Sequence, residues 1–290
     1  MWEDFKNLVK QGSGFTKLLL ANVIIYLVIE LTQVFFFLFN ANVDFDYFIN
    51  FVAVPADLKR LLFHPWSVVT YQFIHKQFGH ILYNMLMLYF GGRMFVEFLG
   101  EKRIVPVYII SGVCGAVLFI LFYNVFPAFT PFASNSVTIG ASASVLGIFI
   151  AVATYIPNFV VNVFFVLEVR LKFVALFLVV IDLISLNKGN AGGHIAHLGG
   201  AIFGILYATQ LKKGNDITNA WYSIKNKVQG LFKRKQKLEK VYSNYNSSTT
   251  AKVKHKQEIV DAILDKISRS GYDSLSKQEK EILFKASKEN

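Results

Sequence analysis

Ala196-His197-Leu198-Gly199-Gly200-Ala201-Ile202-Phe203-Gly204 lies inside an apolar run and sets one histidine before a row of small residues. Its counterpart, Gly140-Ala141-Ser142-Ala143, sits just inside a separate apolar run. Gly199, Gly200, Ala201 and Gly204 give the first stretch a thin face. Gly140, Ala141, Ala143, Ser144 and Gly147 do the same for the second. Small residues let helix backbones approach closely in a membrane. Close approach is what lets a short serine side chain on one helix reach a histidine on another. Gly200 to Gly204 is a GxxxG, which by itself signals only generic helix packing. His197 immediately before it is what makes it informative.

Four more apolar runs accompany these two. A membrane span takes roughly 20 mostly apolar residues, and the pattern predicts spans near 17–40, 78–100, 104–124, 138–156, 172–187 and 192–211. The fifth is short when cut at Lys172, and apolar residues from Val160 onward offer an extension. The chain is 54% hydrophobic and 16% aromatic, with a mean hydropathy of +0.43. A soluble domain of this length is less apolar and more charged. The expected fold is an all-α polytopic membrane protein, a six-helix bundle with a cytoplasmic helical tail.

Charge is concentrated beyond the last run. From Lys212 onward there are 18 Lys/Arg and 9 Asp/Glu, so most of the net +11 belongs to the tail. The bias of basic residues to the cytoplasmic side and attraction to anionic lipid account for such a tail better than nucleic-acid binding does. Lys6, Lys10 and Lys17 precede the first run, Arg93, Lys102 and Arg103 flank the second connection, and Arg170 and Lys172 the fourth. The connection at 125–138 has no charge. Both termini are thus expected in the cytoplasm. The mixed-charge N-terminus shows no removable signal peptide, so the first span is expected to stay. Cys114 is the only cysteine, which excludes an intrachain disulfide.

The expected division is a cytoplasmic N-terminus at 1–16, a membrane domain at 17–211, a basic juxtamembrane segment and linker at 212–250, and a small helical hairpin at 251–290. The connection at 41–77 is strongly apolar, with Phe45, Tyr47, Phe48, Phe51 and Trp66, and is expected at the outer interface. In the tail, 243–250 is polar and reads as flexible. Val260, Ile263, Leu264 and Ile267 repeat at helical spacing before Gly271, a C′ stop, and Ser276 with Glu279 forms a capping box.

Spans two, four and six run in one direction, from outside to inside. His80 lies about a half-turn into span two, Asn84 one turn deeper, Ser142 about one turn into span four, which is read as starting near Ile139, and His197 one to two turns into span six. All four are therefore expected at similar depth, in the outer half of the bilayer. His80 and Asn84 are four apart and share a helix face, and a polar pair facing lipid is costly. Serine becomes a nucleophile when a base takes its proton, and histidine is the usual base. The resulting oxyanion needs donors, which His80, Asn84 and the backbone near Ser142 can supply.

Blander readings exist for each residue. Ser142 alone reads as a packing residue, and His197 alone as a satisfied interior histidine. His194 and His197 are three apart, a spacing that suits a metal, but there is no HExxH and no carboxylate is expected nearby to act as base for a zinc-bound water. No metal and no cofactor are expected. Glu30 and Asp182 are the remaining ionisable residues within spans. Asp182 is expected near the outer end of span five, in contact with water, and neither has an assigned role.

Taken in order, these motifs resemble the rhomboid intramembrane serine proteases over about 15–211. The family's GxSx matches Gly140 to Ala143, its AHxxGxxxG matches Ala196 to Gly204, and its HxxxxHxxxN matches His75, His80 and Asn84. The tryptophan of its first-loop signature matches Trp66. The chain departs from the family at Ala143, where glycine is common, at Leu146, where an aromatic is common, and at Ser67, where arginine is usual. The resemblance implies Ser142 as nucleophile, His197 as general base, His80 and Asn84 as oxyanion donors, and His75, Gly140 and Trp66 in support. It implies cleavage of single-span or other transmembrane proteins near the outer end of their span, in a bacterial plasma (inner) membrane. The alternative is a catalytically inactive rhomboid-like scaffold. A transporter is disfavoured, because the two halves of the chain do not match.

Overall fold

A computed structural model describes residues 12–41, 43–163, 167–223, 227 and 247–288. The chain divides into two compact units, Met1–Phe232 and Lys233–Asn290. Both are mostly helical.

In the first unit, α1 spans Gly14–Leu38 and starts where Ser13 Oγ accepts the Thr16 N–H at 3.1 Å. Its one buried amide, Asn22, donates to Leu18 O at 2.9 Å and to the Tyr108 hydroxyl at 3.1 Å. A short region follows: α2 (Phe45–Val52), β1 (Val54–Pro55), α3 (Leu58–Phe63) and α4 (Ser67–Thr70). Asp44 and Asp57 cap α2 and α3 with their carboxylates. The longer helices α5 (Phe78–Leu99) and α6 (Ile104–Val125) come next. Strand β2 (Val137–Thr138) then pairs antiparallel with β1, Val54 opposite Thr138 and Pro55 opposite Val137. Helices α7 (Ser142–Tyr155), α8 (Leu171–Ile184) and α9 (Ala191–Lys212) complete the bundle.

Helix α7 is the core of the bundle. Every residue from Ala143 to Ala153 is buried, and α5, α6 and α9 pack around it. The α7–α9 contact depends on glycine: a Cβ at Gly200 would overlap the Ala143 carbonyl, and one at Gly204 would overlap the Gly147 carbonyl. These two helices touch backbone to backbone, as the small-residue faces predict.

Three expectations change. The helix carrying the serine begins at Ser142 rather than near Ile139. Val137 and Thr138 are committed to the strand pair with β1, and Gly140 takes φ +120°, which cannot continue a helix. Apolar residues from Val160 do not extend the fifth helix. They form a hairpin of β3 (Val160–Val163) and β4 (Leu167–Arg170), where β-branched valines suit an extended backbone. Lastly, 247–250 is the first turn of a helix, although it falls in the stretch read as flexible; 243–246 lies outside the described residues.

Among the described residues, two helices are long and apolar enough to cross a membrane, Gly14–Leu38 and Glu101–Val125. Helices α7 and α8 have 14 residues each, about 21 Å at 1.5 Å per residue, short of the roughly 30 Å hydrocarbon core.

In the second unit, α10 (Ser247–Ser270) and α11 (Lys277–Lys288) form a helical hairpin. Gly271 ends α10 with φ +75°. The capping box is present: Ser276 N–H donates to Glu279 Oε2 at 2.7 Å and Glu279 N–H to Ser276 Oγ at 3.3 Å.

Candidate active site

The nucleophile candidate sits where two constraints meet. Gly140 N–H donates to Tyr71 O at 2.9 Å, and Ala141 N–H donates to His75 Nε2 at 3.4 Å. These bonds fix the two residues before Ser142, and the left-handed Gly140 turns the chain into α7. Ser142 is therefore the first residue of its helix. Ala141, the N-cap, has no side chain able to cap, so the first N–H groups of α7 are left for a ligand, with the positive end of the helix dipole behind them.

Ser142, His197 and Asn84 line one cavity of about 120 Å³, walled by Met87, Val145, Leu146 and Leu178. Its walls are largely apolar, so a charge that forms there is screened less than in water. Asn84 is buried and gives one amide hydrogen to His80 O at 3.0 Å, which leaves its second for another acceptor. His80 reaches the site from the side of Gly140: a Cβ there would lie 2.7 Å from His80 Cε1, 3.0 Å from His80 Nε2 and 3.8 Å from Ser142 Oγ. Gly140 is thus required both by its φ and by the space that His80 fills.

His75 lies behind this layer, fully buried, its ring 5.1 Å from that of His80. Burial, then the neighbouring His80, push the His75 imidazole down to about 4. A neutral ring is what lets Nε2 accept the Ala141 N–H. Trp66 is not at the site. Its indole N–H donates to Phe51 O at 3.0 Å and its ring packs on Phe51 and His64, so it clamps the connection at 41–77 to itself.

The departures from the motif also find places. The Ala143 methyl packs against Gly115 of α6, where an added Cβ would come within 2.7 Å of it. Leu146 lines the cavity beside His197.

One residue of the site escaped the sequence reading. Asp182, on α8, is buried at 5% exposure rather than in contact with water. Its Oδ1 lies 2.8 Å from His194 Nδ1 and 2.9 Å from His197 Nδ1. The expectation that no carboxylate lies near this histidine pair is overturned. Asp182 precedes His197 by 15 residues, and only the turn between α8 and α9 brings them together. The signal available in sequence was the cost of a carboxylate in an apolar run, which asks for a partner. Asp182, His194 and His197 each offer a donor atom within 4.8 Å of the others, a grouping able to hold a metal ion among the described residues.

The family model described as Rhomboid domain matches residues 63–213, more than half of the chain and all of the cavity. The chain belongs to the rhomboid family. A second model, a family of unknown function, matches 238–289. Among curated relatives, RHOMBOID-like protein 12, mitochondrial, of Arabidopsis thaliana is 26% identical over 57% of this chain and 51% of its own length. Presenilin-associated rhomboid-like protein A, mitochondrial, of Danio rerio is 27% identical over 62% of this chain and 46% of its own. Rhomboid protease AarA of Providencia stuartii is 28% identical over 54% and 60%. The chain thus spans about half the length of these relatives. Rhomboid membership makes this a membrane protein, and two of these relatives carry mitochondrial names.

Proposed function

We propose that this rhomboid is an intramembrane serine endopeptidase that uses Ser142 and His197. The observation that carries the reading is one cavity lined by the serine at the first turn of α7, the histidine of α9 and the Asn84 amide. Ser142 Oγ attacks the scissile carbonyl carbon as its proton passes to His197, and the carbonyl π pair becomes the oxyanion. The free N–H groups at the start of α7, the second Asn84 hydrogen and His80 are the donors for that charge. The imidazolium then returns its proton to the leaving nitrogen as the C–N bond breaks. Water attacks the acyl-enzyme by the same route and releases Ser142.

In this reading α1, α5, α6, α7, α8 and α9 cross the membrane, the short α7 being enclosed by its neighbours. Both termini are cytoplasmic and the site opens outward. Substrates are transmembrane proteins cut near the outer end of their span. The membrane is a plasma (inner) membrane of a bacterium, and the basic tail meets anionic lipid. The rhomboid protease AarA supports the enzymatic reading by its name.

The test is cleavage of a single-span substrate by the purified full chain in detergent. Ser142→Ala and His197→Ala each abolish cleavage while the protein stays folded, the losses do not add in the double variant, and a chelator has no effect. Full activity in either variant removes the assignment, and an inactive wild type that binds substrate favours the scaffold. A cysteine at Asn135 reacts with an impermeant probe from outside and one at Ser243 only from inside; the reverse pattern overturns the orientation.

A further inference from the structure

We infer that Asp182 is a positioning residue for the base, making the site an Asp182–His197–Ser142 triad rather than a serine–histidine pair alone. The inference rests on the protease reading above. Its basis is a buried carboxylate on α8 whose Oδ1 is 2.9 Å from His197 Nδ1, while His197 and Ser142 line the same cavity.

The chemistry follows from which atoms meet. A carboxylate only accepts hydrogen bonds, so the histidine nitrogen that faces it carries the hydrogen. That hydrogen is on Nδ1 of His197, and the lone pair is then on Nε2. In the other neutral tautomer the lone pair is on Nδ1, facing the carboxylate, and Nε2 has none with which to take the Ser142 proton. When the proton does move, His197 becomes an imidazolium in apolar surroundings, and a carboxylate at hydrogen-bond distance stabilises that charge where it forms. Asp182 itself takes no proton, as in the aspartate of soluble serine hydrolases.

His194 completes the arrangement. It lies one turn before His197 on α9 and brings its Nδ1 to the same carboxylate oxygen at 2.8 Å. Two donors from one helix fix Asp182 in place, so that the carboxylate cannot swing away from His197. Leu146 stands in the motif where an aromatic would support the base, and the Asp182 carboxylate, 2.9 Å from His197 Nδ1, does that work by a hydrogen bond.

A fluorophosphonate probe and a fluorogenic single-span substrate test this on the full chain in detergent. Asp182→Asn keeps the shape and removes the charge. It is expected to lower kcat and the rate of probe labelling at Ser142 by about 10²–10⁴-fold, with KM within about threefold of wild type. Asp182→Glu recovers at least tenfold of that loss. Wild-type kcat and labelling in folded Asp182→Asn, with Ser142→Ala inert, overturns the role of Asp182 and leaves the protease reading intact. A wild type that neither cleaves nor labels at Ser142 overturns both. A second measurement needs no Asp182 variant: the ¹⁵N spectrum of histidine-labelled wild type, assigned with His197→Gln. It must show the His197 hydrogen on Nδ1 at neutral pH. A hydrogen on Nε2 overturns the inference.

Discussion

His75 shows how one side chain can set the pH limits of a site without touching substrate. Its Nε2 accepts the Ala141 N–H at 3.4 Å, a bond available only to the neutral ring. Its folded pKa of about 4, lowered by burial and then by His80, is below the roughly 6.5 of an unfolded histidine. The unfolded chain therefore binds the proton first, and stability is lost as pH falls from about 6.5 towards 4. Carboxylates add to any acid loss, so the comparison that matters is with His75→Gln, which can accept the same N–H and does not titrate. Melting temperature against pH should fall more steeply for wild type than for the glutamine variant in that window; parallel curves would remove His75 as the cause. At this scale the sequence was readable wherever a motif fixed the residue type. Ser142, His197 and Asn84 meet at one cavity because three separate helices carry them to it. Asp182 was not readable, because nothing near it in the chain marks its partner, and Trp66, recognised by its spacing, stabilises a loop instead of the site.

Among the elements, α7 and α9 carry the most constraint. Their small-residue faces announce close packing, and Gly200 sits with its Cα directly against the Ala143 carbonyl. A valine side chain at this position has no space to enter, so the two helices must separate. Overpacking of this kind costs about 1–3 kcal/mol or more, and the shift moves His197 relative to Ser142, where even about 1 Å of misplacement can cost roughly 10²-fold in rate. Gly200→Val is thus expected to lower both the melting temperature and kcat, whereas Ile202→Val, on an exposed position of the same helix, changes neither. A Gly200→Val protein with wild-type turnover would show that the α7–α9 contact does not hold the site. Helix existence was legible from apolar runs and small-residue spacing. Helix starts were not: the apolar Ile139 looks helical by itself, but a strand partner about 80 residues earlier in the chain claims its neighbours Val137 and Thr138. The β3–β4 hairpin was hidden for the same kind of reason, since a short valine-rich run fits a buried helix and a strand equally well by composition.

For the molecule as a whole, the tail poses the question of what the membrane domain requires. The compact units divide at Phe232 and Lys233, and every side chain placed at the cavity lies between Tyr83 and His197. The rhomboid match ends at 213, and 238–289 matches a different family model. One part of the region after α9 does belong with the bundle. Arg103 Nε bonds Asp216 Oδ2 at 2.6 Å, Asp216 Oδ1 accepts the Thr218 N–H at 3.0 Å, and Thr218 is buried. Although burial pushes the Asp216 carboxyl up, the Thr218 and Arg103 hydrogen bonds hold it below the usual range. A cut at 212 would release this anchor between α9 and the turn at Arg103, and would confuse loss of fold with loss of a regulator. A cut after Lys240 keeps the anchor and removes α10 and α11. The truncated chain is expected to melt within a few degrees of the full chain and to cleave a minimal substrate at a similar Ser142-dependent rate in detergent. Removing the hairpin leaves the basic residues of 212–240, so binding to anionic vesicles should persist and weaken with added salt. A truncated protein that is folded yet inactive would show that the hairpin acts on the site.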